Sequence, residues 1–315
     1  MEELLPVGYY HLVFTIPEQL NALCLQNKKV MYDILFKAAS QTVLELASDT
    51  KHLGASVGLT TVLHSWGQNM MEHPHLHCIM PAGGLDANKS TWIKARNDFF
   101  VHFKVVSRKF RGKFLDLTKH AYMKGELRCK GAINGLTDKT SFARLTDKLY
   151  KMEWVVNIQP PFANPQKVLE YLSRYVFRIA ITERRIIGIE DSKVVFRLKD
   201  YRTGLYRTMK LDAFEFIRRF LLHSLPKAFL KVRYYGIFAN RYKKENIAAI
   251  KIILEQDKQL QDIEDLEDGR QVWQKQDTIW DEIFLMIKKY KKANCPCCGI
   301  GRMTFAGMIP RMSPG

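Results

Sequence analysis

Five short stretches carry the apolar patterning of β-strands: HLVFTI (His11 to Ile16), SVGLTTVLHSWGQ (Ser56 to Gln68), HLHCIM (His75 to Met80), KVVFRLKD (Lys193 to Asp200) and KVRYYGIF (Lys231 to Phe238). Each is rich in β-branched or aromatic residues, which suit a pleated, half-buried surface. Four longer stretches repeat their apolar residues at three- and four-residue steps, as an amphipathic helix does. They are LCLQNKKVMYDILFKAASQTVLELA, FVHFKVVSRKFRGKFLDLTKHAYMK, NPQKVLEYLSRYVFRIAI and LDAFEFIRRFLLHSL. Strands and helices mix without the strict alternation of a parallel βαβ sheet. The pattern predicts an α+β fold: a mainly antiparallel sheet with helices packed on it, followed by a helical C-terminal extension.

Two of the strands, TTVLHSWGQN and HLHCIM, are joined by MMEHP and read as a hairpin. Alternate residues of a strand share a face, so His75 and His77 project together. A turn centred near Met71 and Glu72 sets Gln68 across from His75 and Trp66 across from His77. His64 then lies further along the same face, with Glu72 and His73 in the loop. Two imidazoles and the side-chain oxygen of Gln68 can hold a divalent metal while leaving positions open, as a catalytic centre requires. A single strand histidine is ordinarily a packed or solvated residue, but three at alternate positions favour ligation.

Charge narrows the chemistry. The chain has 315 residues and a net charge of +17, with 47% hydrophobic residues. That composition belongs to a folded chain rather than a disordered one. The basic excess points to a polyanionic partner, nucleic acid before membrane surface. No apolar run approaches the roughly 18 residues of a spanning helix, and MEELLPVGYY lacks the features of a secretory signal, so a cytoplasmic protein is expected. Cys24, Cys78 and Cys129 are scattered while Cys295, Cys297 and Cys298 crowd the end, which suits thiols or metal ligands in a reducing compartment.

The charge is also unevenly placed. Leu254 to Arg270 holds seven acids against two bases, a net of −5, so the remainder carries +22. The organisation expected is a main domain over 1–245, a charged helical linker over 246–292 and a cysteine-containing tail over 293–315. Cys295 and Cys298 form a CxxC half-site. Four ligands are needed for structural zinc and no second pair is visible, so zinc and free thiols both stand. Two basic segments without acids, KVVSRKFRGK (Lys104 to Lys113) and KAFLKVRYYGIFANRYKK (Lys227 to Lys244), supply candidate DNA contacts, among them Lys109, Arg111, Lys231 and Arg233.

A nucleophile to accompany the metal is found in EYLSRYVFRIAITERR, Glu170 to Arg185. Tyr171 and Tyr175 are four apart, which stacks two phenols on one helix face, and Arg174 and Arg178 form a parallel pair that is a further candidate for DNA contact. A phenol with its usual pKa near 10 attacks phosphorus poorly unless a metal or cation assists it. Core packing is the competing reading of such a pair.

These residues carry a resemblance. HPHLH, followed by apolar residues, and the downstream YLSRYVFRIAI resemble the HUH endonuclease superfamily. Within it the chain is similar to the two-tyrosine rolling-circle transposases of bacterial insertion sequences. The similarity is spread from about Leu5 to Met303 over ordered blocks that include LPVGYYHLVFTIP, WVVNIQPPF, KDYRTG, EFIRRFLLHSLPKAF and CPCCGIGRM. It implies cleavage of single-stranded DNA at element ends with Mg²⁺ or Mn²⁺, in the bacterial nucleoid, through a 5′-phosphotyrosine and a free 3′-hydroxyl, followed by strand transfer. His75 and His77 then become metal ligands, and Tyr171 and Tyr175 the paired nucleophiles. The third ligand is not fixed by the resemblance, and Gln68 follows from the hairpin reading alone. Members of the family commonly carry a cysteine-rich zinc region ahead of the first strand, whereas here Met1 falls almost at that strand, so part of the DNA-recognition apparatus is expected to be missing. Two other readings stay open: a catalytically silent DNA-binding remnant, and a histidine-triad nucleotide hydrolase, which HPHLHCI also fits.

Overall fold

Alternation of large apolar side chains along the strands divides the central sheet into a packed face and a histidine face. The computed structural model describes residues 4–95, 100–162, 180–200 and 203–259. In chain order its elements are β1 (Tyr9–Thr15), α1 (Asn21–Gln26), α2 (Lys28–Ser48), β2 (Gly58–Trp66), β3 (Glu72–Pro81), β4 (Gly83–Leu85) and β5 (Trp92–Lys94). There follow α3 (Phe103–Met123), α4 (Lys139–Lys151), β6 (Val156–Phe162), β7 (Ile186–Glu190), β8 (Lys193–Lys199), β9 (Tyr206–Asp212), α5 (Ala213–Leu221) and β10 (Val232–Gly236). Five strands form an antiparallel sheet in the order β10-β2-β3-β1-β6, and β7-β8-β9 form a second, three-stranded antiparallel sheet. The fold is therefore α+β, as the patterning predicts.

Leu12 and Phe14 of β1, Leu59 and Leu63 of β2, and Leu76, Cys78 and Met80 of β3 point to one side and join the main core with α2 and α3. Phe14 meets Phe110 of α3 edge-on, 5.0 Å between ring centroids. Burying a side chain of this size contributes about 2 kcal/mol, so the packed layer fixes the register of the strands it covers. The opposite face carries His11, His64, His75 and His77. One end of that face is covered by a second cluster of Tyr9, Ile79, Trp92, Ile237, Phe238 and Ile250. At its other end a smaller cluster joins Met70 to Ala180, Ile181 and Phe196, with Trp66 and Phe216 packed against it.

Three local departures from the expected pattern have physical causes. The helix predicted from Leu23 onward is broken into α1 and α2 at Asn27, whose side chain donates to the carbonyls of Leu23 and Arg128 and accepts from the Arg128 amide. Those bonds satisfy backbone groups that a break would leave bare. β6 contains Pro160 and Pro161, which a strand tolerates at a sheet edge where the missing N–H is not needed, and β6 is an edge strand. At the end of β10, Gly236 has a φ of +62° and lies so close to the Val57 carbonyl that any side chain would collide with it.

Contacts divide the chain into Met1–Leu254 and Glu255–Gly315. Residues 243–259 are helical. No helix among the described residues is long and apolar enough to cross a membrane. Tyr171, Arg174, Tyr175, Arg178, Cys295 and Cys298 lie outside the described residues.

Candidate metal centre

The β2-β3 hairpin brings three histidines together, in a register different from the one expected. His64 pairs with His75, Val62 with His77, and Trp66 with Glu72 across a bulge. The expected pairings of Gln68 with His75 and of Trp66 with His77 do not form. The turn is centred on Gln68 to Met70, where the Gly67 amide donates to the Met71 carbonyl and the Met70 amide to the Gly67 carbonyl. Met70 has a φ of 57°. β3 consequently starts at Glu72, so Gln68 is a turn residue and His64 stands opposite His75. The ladder has slipped by four residues, an even number, and an even slip keeps every side chain on its original face.

The ligand-type atoms of His64, His75 and His77 all lie within 4.8 Å of one another. The His64 ring is 4.6 Å from that of His77 and 5.4 Å from that of His75, centroid to centroid. His64 and His77 are buried and His75 is half-buried, so His75 is the most accessible of the three. A metal bound at about 2.1 Å sets neighbouring imidazole nitrogens roughly 3.0–3.5 Å apart, which small ring rotations achieve from this arrangement. Among the described residues this is the single cluster of histidine, cysteine and carboxylate groups with such spacing. His73 is exposed, and its carbonyl lies 2.7 Å from His75 Nδ1.

Behind His77 lies His11 of β1, a residue for which the sequence offered no signal beyond a place at the start of a strand. His11 Nε2 is 3.0 Å from His77 Nδ1, and its Nδ1 is 3.0 Å from Gln159 Oε1 of β6. Burial pushes the His11 imidazolium pKa down to about 4, against the Gln159 hydrogen bond, so the ring is neutral at pH 7.

The turn that carries this site is clamped from the 3-10 turn before β7, from α5 and from the residues just after α5. Arg185, which follows the Ala180–Ile181 pair, donates to the Gln68 carbonyl. Arg219 donates to the Asn69 carbonyl over 3.1 Å, and His223 lies 2.9 Å from the Met70 carbonyl through Nε2. Three consecutive turn carbonyls are thus bonded to cationic or imidazole groups of the segment that follows β6. Below the turn, Glu72 is buried at 4% exposure and accepts a 2.7 Å hydrogen bond from the Tyr32 hydroxyl of α2. Burial raises its carboxyl to about 7, with the Tyr32 bond and Lys28 opposing. The same burial pushes the Tyr32 phenol far above its usual range. Burial holds the His223 imidazolium below its ordinary value.

The basic residues singled out from sequence separate into two groups. Lys231 sits with its ammonium 5.1 Å from the centre of the Trp66 ring, and Trp66 stacks on His64 at 4.8 Å, so Lys231 belongs to the surroundings of the histidines. Burial lowers its pKa. Lys109 and Arg111 are on α3, in the helical layer behind the sheet. Lys109 pairs with Glu45 at 3.0 Å, while Arg111 donates to the Met152 carbonyl and covers the Tyr150 ring. Arg233 donates to Asp33 of α2 at 2.6 Å and lies over Phe36 and Phe229, on that same helical side.

A family model described as "Putative transposase" (Y2_Tnp) matches residues 58–246, well over half of the chain. The chain belongs to this transposase family. The matched stretch takes in the whole β2-β3 hairpin and both Tyr171 and Tyr175, whereas His11 lies before it. Among curated relatives, the "Putative transposase y4qJ" of Sinorhizobium fredii is 44% identical over 80% of this chain and 64% of its own length. The "Transposase for insertion sequence element IS801" of Pseudomonas savastanoi pv. phaseolicola is 27% identical over 74% of this chain and 55% of its own. The chain thus spans about six-tenths of the length of these transposases. No solved structure matches it.

Proposed function

We propose that the protein is a metal-assisted DNA strand transferase of an insertion sequence. It cuts single-stranded DNA at element ends with Tyr171 and Tyr175 and holds a divalent metal on His64, His75 and His77. The observation that carries the reading is the three-imidazole group on one sheet face, in a chain of the transposase family. Of Mg²⁺ and Mn²⁺, the two ions the resemblance implies, the transition ion Mn²⁺ takes imidazole nitrogen the more readily and is the ion to test first. When bound, such an ion polarises a phosphate oxygen and offsets its charge.

The protein's own residues supply the rest. A tyrosine oxygen gives up its proton to water and attacks phosphorus, a P–O bond forms, and the bond to the 3′ oxygen breaks, that oxygen taking a proton from water to leave a 3′-hydroxyl and a 5′-phosphotyrosine. The ester keeps the energy of the broken bond, so rejoining needs no nucleotide cofactor. Two tyrosines let a second strand be cut while the first ester persists. Placement of the nucleophiles is favoured by their neighbours in the chain. Ala180 and Ile181, which follow the tyrosine segment in the sequence, pack against Met70 of the hairpin turn. Lys231 adds positive charge beside His64, where it meets the DNA backbone without reading its sequence.

The test is incubation with a labelled single-stranded oligonucleotide carrying an element end and Mn²⁺, followed by a denaturing gel. A protein–DNA adduct is expected, lost in the Tyr171→Phe, Tyr175→Phe double variant. An adduct that survives the double change refutes the tyrosine assignment. DNA retention with no adduct marks the chain as a binding protein alone.

A further inference from the structure

His11 and Gln159 lie outside the three-histidine group, yet they are aligned on it. His11 is 3% exposed, on the face shared with His77. Its ring is parallel to that of His77 within 4° at a centroid spacing of 5.2 Å, which fits two rings meeting edge to edge through a hydrogen bond. Gln159 is the direct cross-strand partner of His11 on β6 and closes the row with its Oε1.

We infer that Gln159 and His11 are positioning residues that fix the tautomer of His77 and so make its Nε2 a ligand. A side-chain carbonyl oxygen can only accept, so the proton between Gln159 and His11 is on His11 Nδ1. With its ring buried and its proton on Nδ1, His11 presents the Nε2 lone pair and accepts there from His77. That places the His77 proton on Nδ1 and its lone pair on Nε2. His75 arrives at the same tautomer by another route, since its Nδ1 faces the His73 carbonyl, which also only accepts. Two ligands on alternate residues of one strand therefore have their protons on the side away from the shared space. The reverse polarity, with the Gln159 amide turned over, would put a proton on His77 Nε2 and remove it from the donor set. An outer hydrogen-bond partner of this kind also makes the ligating nitrogen more basic, and its loss typically costs 10- to 100-fold in metal affinity.

The inference rests on the metal-binding reading, but it has a readout that needs no metal. In protein carrying ¹⁵N-histidine and no metal, long-range ¹H–¹⁵N spectra should show the proton of His77 on Nδ1. In His11→Phe, which fills the space but cannot accept, the proton should move to Nε2, the tautomer that imidazole favours in water. Mn²⁺ affinity by calorimetry should fall about 10- to 100-fold, with partial recovery in His11→Gln, which restores an acceptor. Gln159→Leu, at an exposed position of an edge strand, should produce the same shift in weaker form and carries the test if His11→Phe fails to fold. A wild-type His77 protonated on Nε2 overturns the inference. So does a folded His11→Phe that binds Mn²⁺ within about twofold of wild type. If wild-type protein binds no Mn²⁺, the metal reading fails, and the tautomer spectra still decide the relay.

Discussion

Glu72 is the first residue of β3 and seats the hairpin on α2, and its burial makes a quantitative demand on stability. One carboxylate oxygen accepts from Tyr32, the other accepts no hydrogen bond among the described residues, and His223 Nδ1 is 3.8 Å away. The folded protein therefore favours the protonated acid, with a pKa of about 7 against 4.5 for the ordinary group. Between those values the folded state binds more protons than the unfolded state, so this group lowers stability as pH rises. At 1.36 kcal/mol per unit the loss comes to about 3 kcal/mol once the pH passes 7. Glu72→Gln keeps an acceptor for Tyr32 and removes the ionisation. In urea unfolding of metal-free protein followed by circular dichroism, the variant should gain about 2.5 kcal/mol over wild type between pH 5 and pH 8. His11 and His223 have lowered pKa values and contribute in the opposite sense, stability increasing with pH, but they do so in both proteins and cancel in the difference. A difference constant within about 0.5 kcal/mol over that range would refute a buried, poorly partnered carboxylate, as would a variant less stable than wild type at pH 8.

His64→Ala should weaken Mn²⁺ binding beyond the roughly 10- to 100-fold that outer partners cost, while Gln68→Ala leaves it within about twofold; equal losses on calorimetry would restore Gln68 to the ligand set. Lys231→Gln should reduce the slope of log affinity for a single-stranded oligonucleotide against log salt by about 0.7, the share of one phosphate contact, and an unchanged slope places Lys231 away from the DNA. Arg233→Ala should lower unfolding free energy by about 1–2 kcal/mol through loss of the Asp33 bond and of packing on Phe36 and Phe229, with the salt slope unaltered.

Periodicity made part of this molecule legible and left the rest unseen for specific reasons. The strands around His11, His75, Val194 and Arg233 were visible because one face of each is apolar, and a period of two is enough to find them. β6 was hidden by its paired prolines, which read as a break until the strand is known to lie at an edge. The face shared by His64, His75 and His77 was also legible, because an even slip of register preserves it. Their pairing was not, since it depended on where β3 begins. That point is set by Glu72, a charged residue whose place inside the fold comes from Tyr32, forty residues away in sequence. His11 and Gln159 were invisible for the same reason, as their roles exist only once β1 lies between β3 and β6. A motif scan therefore finds the residues that meet a metal, whereas those that orient them are distributed over neighbouring strands and follow from the sheet order. The family match ends its claim at the same place: it begins at Gly58 and covers the hairpin, but the strand that carries His11 lies outside it.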